Sequence, residues 1–310
     1  MASKFAIVCD STADLPQKFY DDHNVRHVPL HVHMGGEDYV DGITISRDEY
    51  LDRMPHEAEL PRTSQPSPAD FMLVYNDLIN EGYTDILSLH IASALSGTCA
   101  AAQTIAQACS KDGVRIEAVD TNITTAGLAV MLAQTVLMRD EGASLDEALA
   151  AVQKIIATSR ILFVPATVTN LVKGGRMSSL VGMAASLLDI KPVILVDSAD
   201  GCKLTVPAKC RGMKAACSKV VKLLSTYSAE MGELAYVKLQ AHSAEAMALL
   251  NQALSRAENL KANCLGALTI GPVIATHIGA HAVGAWSCAA SSLDPRIHEF
   301  LSPYLSVEDC

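Results

Sequence analysis

The chain has 310 residues, of which 50% are apolar and 19% charged, enough to fill a sizeable folded interior and too apolar for a disordered chain. Its formal net charge of −10 opposes any general affinity for nucleic acid, so we expect no nucleic-acid partner. No uncharged apolar run reaches the roughly 18 residues that a membrane-spanning helix needs.

The cysteines and the N-terminus bear on location. Nine cysteines are scattered along the chain without a C-x-x-C pair, and the first apolar run is too short for a signal peptide. An odd, scattered set of cysteines is typical of proteins kept reduced. We therefore expect a cytoplasmic location.

The first half alternates short apolar runs with helix signals. Three serines precede predicted helices and are each followed, three residues on, by an acid, which is the pattern of a capping box. These serines are Ser46, Ser67 and Ser144. Predicted strands lie at 5–9, 25–34, 85–90 and 114–119. Strands that alternate with helices predict a mostly parallel sheet.

Three of these strands end at small hydroxyl or acidic residues just before a helix. The clusters are Asp10-Ser11-Thr12, the segment 92–98 with Ser93, Ser96 and Thr98, and Asp120-Thr121. In open α/β sheets ligands bind beyond the carboxyl ends of the strands, where helix N-termini favour negative groups. The first half is therefore predicted to bind an anion.

After about residue 159 the pattern changes to strands with few crossovers. We predict strands at 161–164, 191–196, 203–208, 234–240 and 267–274, helices at 211–227 and 243–259, and a hairpin turn at Asp200-Gly201. This order favours a largely antiparallel sheet with helices. The predicted architecture is two α/β domains, residues 1–160 with a mostly parallel sheet and residues 161–310 with a largely antiparallel one.

Some residue patterns point to other chemistries. His31 and His33 share one face of a strand, but no third ligand is spaced to join them, so we expect no metal and no other cofactor. The chain has neither a Walker loop nor a G-x-G-x-x-G turn, and its hydroxyl loops lack a basic phosphate clamp. A serine-dependent acyl hydrolase or transferase using Ser96 and His277 stays open as an alternative, although Ser96 is not in a Gly-x-Ser-x-Gly context.

Seven stretches, taken in order, resemble the DegV family of fatty-acid-binding proteins. They are IVCDSTADLP (7–16), VPLHVHMGGEDYVDG (28–42), TSQPSPADF (63–71), ASALSGT (92–98), KGGRMS (173–178), IKPVI (190–194) and GPVIATHIG (271–279). Each is short, but the ordered set covers nearly the whole chain. The resemblance implies a non-enzymatic carrier that holds one long-chain fatty acid, of the palmitate, stearate or oleate class, between two α/β domains. It also implies a partner fatty acid kinase that makes an acyl phosphate, with transient membrane contact.

The same resemblance implies the residues of the site. Those expected to bind the fatty acid are Thr63, Ser64, Ser96, Gly97, Thr98, Arg176 and His277, with Ser93 as a substitute for Ser96. Arg211 is expected on the face that meets the kinase. Thr63 has the local alternative of capping the next helix, but Ser67 already supplies a better cap.

The acyl tail is expected beside second-domain residues whose helical spacing equally fits plain core: Leu180, Met183, Leu187, Leu188 and Ile190. The chain also departs from the family pattern. Ala275, Ala280 and His281 stand where the family has glycines and a Pro-Gly pair, and Ala92-Ser93-Ala94 replaces Ser-Ser-Gly. We expect these departures to alter chain selectivity or kinase docking.

Overall fold

Parallel strands form the sheet of the first half. The computed structural model describes residues 5–111, 113–177 and 189–307. The strands of the first sheet are β1 (Ala6–Asp10), β2 (Val25–Val28), β6 (Asp85–His90) and β7 (Arg115–Asp120). They lie in the order β2-β1-β6-β7, and every neighbouring pair is parallel. The predicted parallel sheet is confirmed.

A small antiparallel sheet was not predicted. Its strands are β3 (His31–Met34), β4 (Glu37–Val40) and β5 (Arg62–Ser64), in the order β4-β3-β5. The extended segment predicted at 25–34 is therefore two strands in two sheets. Pro29 lies between the two strands and has no backbone N–H to donate to a neighbouring strand. The N–H of Leu30 donates to the Ser11 hydroxyl at 3.1 Å and not to a strand.

The second half forms one mixed sheet. Its strands are β8 (Arg160–Val164), β9 (Ile190–Asp197), β10 (Lys203–Arg211), β11 (Leu234–Gln240), β12 (Ala262–Thr269) and β13 (Val283–Ala289). They lie in the order β10-β9-β8-β13-β11-β12, and only β11 and β12 pair in parallel. The predicted largely antiparallel sheet is confirmed, with the Asp200-Gly201 turn between β9 and β10.

The helices connect and cover the sheets. They are α1 (Gln17–Asp22), α2 (Arg47–Arg53), α3 (Pro68–Asn80), α4 (Thr98–Cys109), α5 (Ala126–Asp140), α6 (Leu145–Ile156), α7 (Thr169–Lys173), α8 (Met213–Met231), α9 (Ala244–Leu254), α10 (Pro272–Ile278) and α11 (Ile297–Leu301), with 3-10 turns at Ser11–Ala13, Met54–His56 and Ala290–Ser292. Ser46, Ser67 and Ser144 cap their helices through the side chain as predicted. None of the helices in the described ranges has both the length and the apolar character to cross a membrane.

One predicted strand, 267–274, is wrong in its second part. The strand ends at Thr269, and Pro272 begins helix α10. Proline fits the first helical position because its missing N–H would have no helical partner there. Six of the seven side chains of α10 are buried, so no polar face reveals the helical period. His277 consequently lies on a helix and not directly after a strand.

Helix α5 joins the two halves. It is buried on nearly every side and contacts both β6 of the first sheet and β13 of the second. One apolar core includes Leu87 and Trp286, so the halves share an interior. The last strand of the first sheet ends at Asp120, and the first strand of the second sheet begins at Arg160. The domain boundary at residue 160 stays a prediction.

A buried carboxylate holds the strand ends together. Asp10, at the end of β1, is fully buried and accepts hydrogen bonds from the Thr12 N–H at 3.0 Å, the Thr12 hydroxyl at 2.6 Å and the Ile91 N–H at 2.8 Å. The ring of His90 lies 3.2 Å from its second oxygen. The ends of β1 and β6 are thus fixed to one group.

The same connection continues to the loop after β7. The carbonyl of Thr12 accepts the N–H of Thr125 at 2.8 Å, and the carbonyl of Ile123 accepts the N–H of Ala92 at 3.0 Å. Backbone hydrogen bonds therefore link the three strand-end loops in a fixed arrangement.

We expect the substitution Asp10→Asn to lower the free energy of unfolding by about 2–3 kcal/mol, because an amide nitrogen would face buried donors in place of a carboxylate oxygen. Urea denaturation measures this loss. Asp200→Asn, at an exposed ion pair in the hairpin turn, serves as the control and should change stability by less than about 0.5 kcal/mol. Equal effects of the two substitutions would contradict the role given to Asp10.

Candidate functional site

A narrow cavity lies between the two sheets. It contains about 760 Å³ of space, part of it open to solvent, and little of that space is wider than a water molecule. The cavity is therefore a slender channel. Most of its wall is apolar and comes from both halves, including Ile91, Leu95, Ile161, Phe163, Val196 and Ile274.

The polar residues of the wall are few: Thr63, Ser96, Thr124, Thr125, Arg176 and His277. Thr63 is the middle residue of β5 and is half-buried between two exposed neighbours. Its hydroxyl lies 2.8 Å from Nε2 of His277. Because side chains alternate along a strand, Ser64 points the other way. Thr63 and His277 therefore form a hydrogen-bonded pair that spans the two halves.

His277 is held as a neutral ring. Burial, with a smaller contribution from the positive charge of Arg176, lowers its pKa from 6.5 to about 4. Its Nδ1 is buried and has no hydrogen-bond partner in the described residues. The ring packs on Gly174, where an added Cβ would lie 2.8 Å from Nδ1. A neutral imidazole offers one donor and one acceptor, so either hydrogen-bond direction with Thr63 is open.

Arg176 provides the positive charge of this region. The residue as a whole is exposed, but the protein removes part of the water around its guanidinium, and this desolvation lowers its pKa. Its Nε donates to the carbonyl of Leu95 at 3.3 Å, and another nitrogen of the guanidinium donates to the carbonyl of Gly174 at 2.6 Å. The guanidinium thus ties the loop before α4 to the segment after α7. We name the group of Thr63, Ser96, Arg176 and His277 the polar mouth.

Ser96 and Gly97 precede helix α4. The Ser96 hydroxyl lies 2.8 Å from the Thr98 hydroxyl and accepts the Thr98 N–H at 3.4 Å. A Cβ added at Gly97 would lie 2.1 Å from Oε1 of Gln65. Gly97 therefore lets the segment after Thr63 come close to the segment that carries Ser96.

Other predicted site residues lie away from the cavity wall. Ser64 is exposed and lies 3.0 Å from Nε2 of His33. Thr98 is buried behind Ser96, and Ser93 is exposed with its N–H on the Asp120 carboxylate at 3.1 Å. The structure brings the four residues of the polar mouth together but leaves these three outside it.

The remaining predictions concern the second half. Arg211 is exposed at the end of β10. Leu180, Met183, Leu187 and Leu188 lie outside the described residues, and Ile190 is described but is absent from the described wall. Of the departures from the family pattern, Ala275 is buried, Ala280 is half-buried, and His281 is exposed with Nδ1 2.7 Å from the carbonyl of His242.

The geometry does not assemble a hydrolase from the predicted pair. Ser96 pairs with Thr98 and His277 with Thr63, and the described contacts include no hydrogen bond between Ser96 and His277. A separate chain of hydrogen bonds connects Ser88, His90 and Asp10, with the Ser88 hydroxyl 2.7 Å from Nε2 of His90. All three are fully buried, so a substrate has no access to them.

Metal binding finds no support in the contacts of His31 and His33. His33 contacts Asp38 and Ser64. Across the described ranges, no three potential ligands among histidine, cysteine, aspartate and glutamate come together.

Sequence reasoning missed Thr124 and Thr125, which precede α5 and line the cavity. Thr125 has φ 51° and ψ −129°, a conformation that costs a β-branched residue on the order of 1–3 kcal/mol. The run Thr121-Asn122-Ile123-Thr124-Thr125 ahead of an apolar helix was the available signal. Like the other strand ends, it carries hydroxyl residues before a helix, but Thr124 lies three residues beyond Thr121, the hydroxyl residue that directly follows β7.

We expect the lowered pKa of His277 to appear as a pH dependence of stability in lipid-free protein. The unfolded chain binds a proton on this ring near pH 6.5 and the folded chain only near pH 4, so its stabilising contribution is complete above pH 6.5 and is lost as the pH falls to about 4. The full difference is on the order of 3 kcal/mol. Urea denaturation of wild type and His277→Asn across this range measures it.

The variant is needed because burial raises the pKa of Asp14, and that of Asp41 to about 7, and these carboxyl groups change stability in the opposite direction. The difference in the free energy of unfolding between wild type and His277→Asn, taken at each pH, gives the contribution of the His277 ring. Parallel stability curves would contradict a buried neutral His277.

The chain matches known proteins over nearly its whole length. The family model described as "Uncharacterised protein, DegV family" matches residues 4–289. A DegV domain-containing protein of Streptococcus pneumoniae is 31% identical, over 90% of this chain and 97% of that protein.

Solved structures agree in fold. A DegV family protein from Thermus thermophilus, described as binding fatty acid, is 30% identical with a TM-score of 0.80 and covers 92% of this chain and 99% of its own. A stearic-acid-binding protein from Eubacterium ventriosum is 25% identical with a TM-score of 0.80, covering 92% and 98% of the two chains. The family match, the relatives and the fold lead to one conclusion: this chain belongs to the DegV family.

Proposed function

We propose that the chain binds a single long-chain fatty acid, with the tail in the cavity and the carboxylate at the polar mouth. The observation that carries this proposal is a slender apolar channel whose neutral and cationic hydrogen-bonding groups include a cluster joined across the two halves. That shape and polarity match an amphiphile with one acidic end. The Thermus thermophilus and Eubacterium ventriosum relatives support the same ligand class.

The tail supplies most of the affinity. An octadecanoyl chain has roughly sixteen methylenes at about 0.8 kcal/mol each, or about 13 kcal/mol before the cost of ordering the chain. Side chains such as Ile161, Phe163 and Val196 give the channel the apolar wall that this transfer needs. Palmitate, stearate and oleate are the proposed class of ligand.

The head group is oriented by the polar mouth. A carboxylate only accepts hydrogen bonds, so Thr63 and Ser96 serve as donors, His277 supports Thr63 by donating its Nε2–H to the Thr63 oxygen, and Arg176 balances the charge. Each such bond contributes about 1.5–3 kcal/mol, less than the tail. The neutral state of His277 suits this role, because a ring with its one N–H on Nε2 donates to the Thr63 oxygen and leaves the hydrogen of the Thr63 hydroxyl free for the carboxylate.

A second part of the proposal is presentation of the bound acid to a fatty acid kinase. Thr63 and His277 also line an outer cavity of about 1260 Å³, open to solvent, together with Arg62 and Lys173. A carboxylate at the polar mouth is therefore reachable from outside, where the partner would transfer phosphate to it and form an acyl phosphate. Arg211, exposed at the end of β10, is the proposed contact for that partner.

In this proposal the chain is a carrier and the partner supplies the catalysis. The serine hydrolase alternative gains no support, because Ser96 and His277 are each paired with another hydroxyl group. Transient membrane contact and a cytoplasmic location stay predictions.

We expect Thr63→Val to weaken binding of stearate about tenfold or more, because the substitution removes one charge-assisted hydrogen bond while keeping the shape of the side chain. Titration of delipidated protein with stearate measures this. Ser64→Ala is the matched control, since Ser64 lies on the opposite face of β5, and it should bind as wild type does.

The same preparations test the proposal as a whole. Mass spectrometry after denaturation should find a fatty acid in wild-type protein purified from bacteria. Empty protein that also fails to bind added stearate would refute fatty-acid binding, and equal losses in the two variants would refute the role of Thr63.

A further inference from the structure

Thr125 places a hydroxyl group in the cavity wall that has no hydrogen-bond partner among the residues that the structure describes. The residue is 2% exposed, lines the cavity, and its Oγ1 forms no hydrogen bond within the described residues. A buried hydroxyl without a partner is costly, so one that persists beside a ligand cavity needs a reason. Thr124, its neighbour in the wall, differs because its hydroxyl lies 3.4 Å from the carbonyl of Thr12.

The backbone directs this hydroxyl away from the helix it precedes. Thr125 occupies the N-cap position of the fifteen-residue helix α5, yet its side chain makes no cap hydrogen bond. Most N-cap threonines accept an N–H of the first turn. Here φ 51° and ψ −129° hold the residue in a strained conformation, which the hydrogen bond from its N–H to Thr12 at 2.8 Å maintains. Strained residues of this kind cluster at ligand sites.

Thr125 and the polar mouth line the same cavity from different segments of the chain. A Cβ added at Gly127, two residues on, would lie 2.9 Å from Nε1 of Trp286 and 2.7 Å from Ile123. Trp286 pairs in register with Ile161, another residue of the cavity wall. Three residues of the polar mouth lie on α10, β5 and the segment after α7, and the fourth, Ser96, lies on the loop before α4. No described hydrogen bond connects Thr125 with that group.

The groups around Thr125 determine which kind of ligand atom its hydroxyl can bind. The N-terminus of α5 is the positive end of the helix dipole and favours an acceptor atom. The lining residues contain one cation, Arg176, and its guanidinium is bonded at the polar mouth to Leu95 and Gly174. A second carboxylate against the apolar wall of the cavity would be buried without a counter-charge, whereas a neutral oxygen needs only the hydrogen bond that Thr125 offers.

We propose that Thr125 hydrogen-bonds a hydroxyl or keto oxygen carried on the acyl chain, so that the cavity prefers an oxygenated fatty acid to an unsubstituted one. This rests on the proposed function, since it assumes an acyl chain in the cavity. Thr125 acts here as a specificity-determining residue.

The test compares delipidated wild type and Thr125→Val in titrations with octadecanoate and with octadecanoates carrying one hydroxyl at successive positions along the chain. Valine keeps the volume and branching of threonine, so the strained backbone is matched. For each protein, the affinity for an isomer is divided by the affinity for octadecanoate. For one positional isomer, we expect this ratio to be about tenfold higher in wild type than in Thr125→Val. Octadecanoate itself should bind the variant at least as well as wild type, because no hydroxyl is then left unpaired.

Two further variants control the result. Thr125→Ser keeps the hydroxyl and should keep the preference, even if stability changes. Thr135→Val makes the same substitution in α5 at a buried residue that bonds the Leu132 carbonyl and should leave the preference unchanged. Octadecanoate binding with no isomer preference, or a preference that survives Thr125→Val, would overturn this inference alone. Failure to bind octadecanoate and every isomer would overturn the proposed function.

Discussion

The candidate site depends on the buried carboxylate of Asp10. It gathers the N–H and hydroxyl of Thr12 and the N–H of Ile91, so that the loops after β1 and β6 cannot move independently. Thr12 then passes this constraint through its carbonyl to Thr125 and hence to the start of α5. A charged group without solvent is stable only when its oxygens are satisfied, and these hydrogen bonds satisfy them. The rigid edge of the parallel sheet that results is one wall of the cavity.

The opposite wall comes from the second sheet and from α10, which places His277 against Thr63 at 2.8 Å. Apolar side chains from both halves meet around the channel, while the polar mouth is neutral apart from Arg176. In the proposed function, the apolar wall and the polar mouth have separate tasks. Burial of the tail would supply affinity, and a small set of donors would set the direction in which the acyl chain lies. A ligand with an acidic head and an apolar tail uses both.

Much of this could be predicted from the sequence. Apolar periodicity located most strands of both sheets, and the hydroxyl residues at strand ends pointed to one edge of the first sheet. Other features could not be read. The helix that carries His277 is buried on nearly all sides, so its apolar run resembles a strand, and the pairing of β5 with β3 depends on contacts distant in sequence. The strained backbone of Thr125 is imposed by Thr12, more than a hundred residues away, and leaves no local pattern.

The central claim is that an acyl tail lies inside the cavity with its carboxylate at the polar mouth. A crystal structure with octadecanoate brominated at its terminal carbon tests it most directly, because the anomalous signal of bromine locates the end of the tail. The account predicts a bromine peak enclosed by the apolar wall, and carboxylate density within hydrogen-bond distance of the Thr63 and Ser96 hydroxyls. A bromine peak at the protein surface, or a carboxylate away from Thr63 and Ser96, would contradict it.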